Sequence, residues 1–175
     1  MTDDRPDPLN VLFLCTGNSA RSIIAEAIMN RRGAGQFLAF SAGSVPRGEV
    51  HPRALEILMR HNFPVEGLRS KSWEEFAEPD APPMDFVFTV CNVAAAENCP
   101  PWPGRPITAN WGVRDPAAVT GDDAQVMSAF ADTVRHLANR INLFVRLPLE
   151  SLDRLSLQNR LTAIGREDEA APQPT

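Results

Sequence analysis

Cys15, Thr16, Gly17, Asn18, Ser19, Ala20, Arg21 and Ser22 put a thiol, a glycine, small hydrogen-bonding side chains and a guanidinium into one short run. The apolar stretch Asn10–Cys15 precedes it and a helical pattern begins at Ser22, so the run reads as a loop wrapping from a strand end into a helix N-terminus. Such a loop aims successive backbone N–H groups at one point and makes a nest for a tetrahedral oxyanion. Residues 16–22 are therefore the candidate oxyanion-binding residues. Gly17 is expected to supply the backbone freedom, and Arg21 a planar fork of donors for two anion oxygens. The same field is expected to lower the Cys15 pKa from about 8.5 into the ~3.5–7.5 range of reactive thiols. Asn18 and Ser19 are expected to hold the loop and hydrogen-bond the sulfur. A nucleophile at the floor of an anion cradle implies attack on the central atom of phosphate or a phosphate-like oxyanion. Cys-x5-Arg alone is a weak signal, because three cysteines and sixteen arginines in 175 residues give about 0.27 such pairs by chance. Gly17, Asn18, Ser19, Ser22 and the strand–loop–helix setting make it strong.

Three further residues bear on this chemistry. Asp115, in Asn110-Trp-Gly-Val-Arg-Asp115-Pro116, follows a short strand and is a candidate general acid for the departing oxygen, or else a turn or cap residue. Cys91 follows another strand and Cys99 comes eight residues later. If the strands of Cys15 and Cys91 are neighbours, ~4.8 Å apart, Cys91 reaches Cys15 after a modest loop shift. That geometry allows a relay Cys15, Cys91, Cys99; the other reading is two buried cysteines acting as small hydrophobes. Were 91–99 helical, ~12 Å would separate their Cα atoms against the ~4.4–6.8 Å a disulfide needs, so an oxidised pair requires Ala94–Asn98 to loosen.

The elements that must position these groups alternate. Strands are expected at Asn10–Cys15, Gln36–Ser41, Asp85–Val90 and Ile107–Asn110. Helices are expected at Ser22–Arg32 (closed by Gly33 and Gly35), from His51-Pro52 to about His61, near Ser72–Ala77, and over Asp122–Val145, where apolar residues recur every three or four positions. Strand–helix alternation implies an α/β fold, a four-stranded parallel sheet in the order 2-1-3-4 with helices on both faces. Leu152, Leu155, Leu157, Leu161 and Ile164 mark an extra C-terminal helix, which either packs on its own domain or forms a dimer face or partner site. The expected organisation is a disordered N-terminus at 1–8, one domain at 9–146, a helical extension at 147–166 and a disordered tail at 167–175.

Cys15-TGNSA-Arg21-Ser22, Ser41-Ala-Gly43 after the second strand and Asp115-Pro116 resemble the low-molecular-weight protein tyrosine phosphatase superfamily, in order and at its spacing over about residues 9–146. The resemblance implies nucleophilic Cys15, anion-binding Arg21 and general acid Asp115. The Cys91–Cys99 segment and Trp111-Gly-Val-Arg-Asp-Pro are most similar to the thiol-coupled arsenate reductases of that superfamily. These imply attack of Cys15 on arsenic, attack of Cys91 on the Cys15 sulfur with release of arsenite, and a Cys91–Cys99 disulfide reduced by thioredoxin, or by glutathione with glutaredoxin. Ala117-Ala118 and the absence of tyrosine depart from the phosphatases, which usually carry aromatic residues after Asp-Pro and often have Pro where this chain has Ile23. The alternative is a phosphatase for phosphotyrosine or small phosphoesters; a non-enzymatic rival is an oxyanion-sensing module. From the reductases the chain departs in having seven residues between the relay cysteines, one more than the best-known members, and Ala20 where many carry a cysteine. Some members bind potassium beside the active site. Asn18, Glu26, Ser41 and Ser70 match part of that site, but Ser72 stands where those members have an aspartate and Lys71 lies next to it. The expectation is no tightly bound cofactor, with potassium weakened by the missing carboxylate and the Lys71 ammonium able to take its place.

Composition agrees with these readings. At 175 residues, 43% hydrophobic and 22% charged, the chain suits one globular domain. A net charge of −5 opposes nucleic-acid binding, while residues 21–71 carry eight basic groups against four acidic, a local excess suited to a small anion. No apolar run approaches the ~20 residues of a membrane span and no signal peptide is evident, so a cytoplasmic location with reduced thiols is expected. His51, His61 and His136 are scattered, without metal-site spacing, and a surface or core role is expected for each.

Overall fold

The computed structural model describes residues 7–91 and 100–166. The expected tail at 167–175, most of that at 1–8, Cys99 and the Ala94–Asn98 stretch lie outside the described residues. Strands β1 (Leu9–Leu14), β2 (Phe37–Ala42), β3 (Phe86–Thr89) and β4 (Ile107–Asn110) form one parallel sheet in the order β2-β1-β3-β4. The helices are α1 (Arg21–Arg32), α2 (Pro52–Arg60), α3 (Asp123–Val145) and α4 (Arg154–Gly165), with 3-10 turns at Trp73–Phe76, Pro116–Ala118 and Leu149–Ser151. Bounds expected from sequence shift by one or two residues at the element ends, where helices and strands fray.

β1 reads as an unbroken apolar run because it is covered on both faces. Val11 and Phe13 join the larger core with Ile24 and Ile28 of α1, Leu58 of α2, Phe130, Ile141 and Phe144 of α3, and Leu161 of α4. Leu12 and Leu14 point the other way, to Phe76, Met84 and Val87, with Phe40, Trp73 and Trp102 packed alongside. α1 ends where the Gly33 N–H donates to the Met29 carbonyl at 2.8 Å, with Gly35 in the left-handed region (φ 88°) just beyond. α3 begins with a capping box, the Asp122 carboxylate accepting from Gln125 N and the Gln125 side chain from Asp122 N, each at 2.9 Å.

The ladder does not stop where the strands do. Cys15 N donates to the Ala42 carbonyl (3.2 Å), Val90 N to Leu14 (2.8 Å), Trp111 N to Thr89 (2.7 Å) and Val113 N to Val90 (3.1 Å). The segments leaving β1, β3 and β4 are thus held side by side at one end of the sheet, which brings Cys15, Cys91 and the approach to Asp115 to a common rim.

α4 packs on its own domain, along the β4 edge. Gln158 Nε2 donates to the Thr108 carbonyl at 2.7 Å and Arg154 Nη1 to that of Arg105 at 3.0 Å, blunting an edge that otherwise offers bare carbonyls. The Trp111 indole N–H donates to the Leu161 carbonyl at 3.0 Å, and Leu161 is fully buried. Truncating a buried leucine costs about 2–5 kcal/mol. At roughly 2–4 °C per kcal/mol for a chain of this size, Leu161→Ala is expected to lower Tm by roughly 4–20 °C in calorimetry. An unchanged Tm would mean that α4 is not docked here in solution.

Candidate active site

The loop between β1 and α1 is built around its own carbonyls. Those of Thr16, Gly17 and Ser19 accept from Val45 N (3.0 Å), Arg47 N (2.9 Å) and His51 N (2.8 Å), all on the segment between β2 and α2. Because a trans peptide sends its C=O and the following N–H in opposite directions, the N–H groups of Gly17, Asn18 and Ala20 point away from that segment. This is the disposition an oxyanion nest requires. Gly43 lets the two segments meet: a Cβ there would lie 2.4 Å from the Thr16 carbonyl oxygen and 2.7 Å from that of Cys15.

Two expectations about the loop are corrected. The left-handed residue is Asn18 (φ 43°), not Gly17. Asn tolerates that region, and here its buried amide is fully engaged: Nδ2 donates to Ser22 Oγ (2.8 Å) and Ser41 Oγ (3.0 Å), and Oδ1 accepts from Lys71 N (2.8 Å). The hydroxyl on the sulfur is that of Ser22, with Cys15 Sγ and Ser22 Oγ 3.3 Å apart, while Ser19 contributes its carbonyl to His51.

Cys15 and Cys91 are both buried at this rim, and the Cys91 side chain is near enough to act on the Cys15 thiol. Cys91 Sγ also lies 3.8 Å from Thr16 Oγ1. The Cys91 side chain and burial push the Cys15 thiol well above its ordinary pKa, and the Ser22 hydrogen bonds pull it only partly back. The expected acidic thiol is therefore not the state of this arrangement. Arg21 is engaged elsewhere, Nη1 donating to the Val113 carbonyl at 3.0 Å and Nη2 lying 3.8 Å from Asp115 Oδ2.

Asp115 takes the cap role that was one of its two readings. Oδ1 caps the 3-10 turn by accepting from Ala117 N at 3.0 Å, and Oδ2 faces Arg21 at the rim. Its loop is held from below by Arg140, which is buried and donates to the carbonyls of Trp111 (2.6 Å) and Gly112 (3.1 Å), and by the Trp111 ring stacked on Phe88 at 3.8 Å.

Sequence reasoning missed Arg47 and His51. The Arg47 side chain lies over Gly17, its Nε 3.2 Å from where a Cβ would be. His51 caps α2, its Nδ1 accepting from Arg53 N at 3.1 Å, and sits at the rim rather than apart from the site. Burial and then the Arg47 charge lower its pKa, with Asp115 opposing. The local basic excess was the only signal for Arg47, and His51-Pro52 signalled a helix start but not where it would dock.

Beneath the loop lies a buried polar cluster. Lys71 Nζ donates to the Arg69 carbonyl (2.7 Å) and to Ser41 Oγ (3.5 Å) and lies 3.9 Å from Glu26 Oε1, while Ser41 Oγ donates to that same oxygen at 3.2 Å. Burial raises the Glu26 pKa and lowers that of Lys71, each partly restored by the other's charge. Ser70 donates to the Gly17 carbonyl at 3.3 Å and accepts from Gly48 N at 3.1 Å. These residues do not fit a bare potassium ion, since an ammonium already holds the oxygens that would ligate it. Among the described residues no group of three or more His, Cys, Asp or Glu is placed to hold a metal, and no helix is long and apolar enough to cross a membrane.

Residues 10–154 match the family model described as low molecular weight phosphotyrosine protein phosphatase. The chain belongs to that family. Two curated relatives carry more specific names. A Halalkalibacterium halodurans protein named arsenate reductase is 30% identical over 134 residues, covering 77% of this chain and 93% of that protein. A Synechocystis protein named glutaredoxin arsenate reductase is 29% identical over 139 residues, covering 78% and 97%. A solved structure from Corynebacterium glutamicum, described as a thioredoxin-dependent arsenate reductase, superposes with a TM-score of 0.54 at 26% identity, covering 79% of this chain and 64% of that one. α4 lies almost wholly beyond the family match.

Proposed function

We propose that this chain is an arsenate reductase working by a relay of Cys15, Cys91 and Cys99, with thioredoxin as reductant. The observation that carries the reading is a second buried cysteine beside the loop, Cys91, its Sγ 3.8 Å from Thr16 Oγ1 and its side chain acting on the Cys15 thiol. A phosphatase needs one thiol there, whereas a two-electron reduction needs a second sulfur within reach of the first. The curated relatives at about this identity support the same substrate.

The loop N–H groups and Arg21, released from Val113, bind the arsenate oxygens. Cys15 sulfur attacks arsenic and one oxygen leaves as water, its second proton supplied at Asp115. Cys91 sulfur then attacks the Cys15 sulfur. The S–As bond breaks with its electron pair passing to arsenic, so arsenic(V) becomes arsenic(III) and the two sulfurs form a disulfide. Cys99 attacks Cys91, freeing Cys15 and leaving a Cys91–Cys99 disulfide; Cys99 lies outside the described residues. A dithiol reductant closes the cycle by taking the oxidation onto its own cysteine pair. Phosphorus(V) does not accept electrons from thiols, so phosphate stops at binding.

The test is NADPH consumption with arsenate, thioredoxin and thioredoxin reductase. Turnover is expected, falling to background in Cys15→Ser, Cys91→Ser and Cys99→Ser alike. Turnover only with glutathione and glutaredoxin, which the name of the Synechocystis relative favours, keeps the relay and changes the reductant. A second reading, phosphoester hydrolysis, is favoured by the family description and by Asp115 standing opposite Arg21. Silence in both redox systems together with hydrolysis of an aryl phosphate would replace the proposal. Binding of oxyanion without either activity would leave a sensor.

A further inference from the structure

The cluster under the loop joins two kinds of contact in one residue. The backbone N–H of Lys71 holds Asn18 Oδ1 at 2.8 Å and its carbonyl accepts from Gly43 N at 3.0 Å, so the main chain of Lys71 is part of the scaffold of the oxyanion loop. Its side chain turns back beneath that loop and places an ammonium among the Arg69 carbonyl, Ser41 Oγ and Glu26. Lys71, Glu26, Ser41 and Asn18 are all buried. A carboxylate shut away from water needs a counter-charge, and this one has it from within the chain.

A potassium ion would find no coordination there. Ser41 Oγ accepts from the Asn18 amide and the ammonium and spends its proton on Glu26. Asn18 turns its amide NH2 toward Ser41, an orientation fixed by the Lys71 N–H on its other end, so it offers a metal no oxygen. A second cation would also be repelled by the first at close range in a poorly screened site.

We propose that Lys71 is the resident cation of this active site: a positioning residue whose ammonium permanently fills the place that a bound potassium ion would otherwise take. Through Ser41 and Asn18 it holds the loop in its anion-binding shape, and the protein's affinity for oxyanion is independent of potassium. The proposal rests on the loop being the oxyanion site but not on the reductase reading.

The test measures melting temperature and inorganic phosphate affinity for the wild-type protein in potassium, sodium and choline chloride at equal ionic strength. The three salts are expected to give the same values. Lys71→Ala is expected to weaken phosphate binding about tenfold or more, the scale for removing a group that orients a binding residue. It is expected to regain part of the loss in potassium or methylammonium chloride but not in choline chloride. A cleft lined by Glu26, Lys71, Arg69, Asn30 and Phe40 gives a small cation a path inward. Saturable stabilisation of the wild type by potassium over sodium would overturn the proposal. So would phosphate affinity unchanged in Lys71→Ala, or a loss that no small cation repairs. Should that variant not fold, or should the wild type bind no phosphate in any salt, the wild-type melting series still decides.

Discussion

Cys91→Ala is expected to end arsenate turnover while making Cys15 the stronger acid. The two effects have one origin. The Cys91 side chain is the foremost cause of the raised Cys15 pKa, ahead of burial, with Ser22 acting the other way. Removing that side chain leaves burial and the Ser22 hydroxyl, so the pKa falls and the thiolate fraction at neutral pH rises. Alkylation of Cys15 by iodoacetamide, followed in a Cys99→Ser background, is expected to reach its half-maximal rate at lower pH than in the parent. Steady-state reduction is expected to drop on the order of 10³-fold or more, the scale seen when a nucleophile is removed from a concerted set. A more reactive Cys15 with no turnover would separate the acidity of the first thiol from the service of the second. A pH profile that stays in place or moves upward would mean that Cys91 does not act on the Cys15 thiol in solution.

Gly43→Ala is expected to cost this protein most of its activity. The new carbon would stand 2.4 Å and 2.7 Å from the carbonyl oxygens of Thr16 and Cys15, and 3.0 Å from the Asn18 Cβ. The first two are backbone, so no rotamer relieves the clash and the loop itself must shift. Overpacking of this kind costs roughly 1–3 kcal/mol, and a displacement of ~1 Å at reacting groups costs about 10²-fold in rate. Gly35→Ala is the control. Its φ of 88° makes it a strained substitution with nothing within 4 Å, so about 1–2 kcal/mol of stability is lost with activity intact. Equal kcat/KM losses in the two variants would show that stability, not the loop, is being measured.

The elements and sheet order were legible because they depend on short-range pattern. β1 is apolar at every inward position of both faces, and the α3 stripe repeats at helical spacing. The loop was legible as a motif and less so as a geometry. Gly17 is the obvious residue for an unusual backbone, yet Asn18 takes the left-handed conformation, because three partners at Ser22, Ser41 and Lys71 hold its side chain. Two of those partners lie 23 and 53 residues away in sequence. Likewise Arg47 over Gly17 and His51 on Ser19 are contacts between segments whose approach is set by Gly43 and leaves no local signature. The direction of the Cys15 pKa was misjudged for a related reason. The nest and Arg21 argued for an acidic thiol, but burial and a second thiol act on the sulfur directly, and Arg21 is occupied at Val113.

Lys71 is the only lysine in the chain, and it is enclosed. The surface therefore offers no ε-amine to acylating reagents. Whatever amine chemistry occurs away from the N-terminus must wait for the floor of the active site to open. The rate at which Lys71 is acetylated, read by mass spectrometry on the intact protein, is thus a clock for the breathing of that floor, with no label engineered into the molecule. Bound oxyanion, by holding the loop above it, should slow that clock.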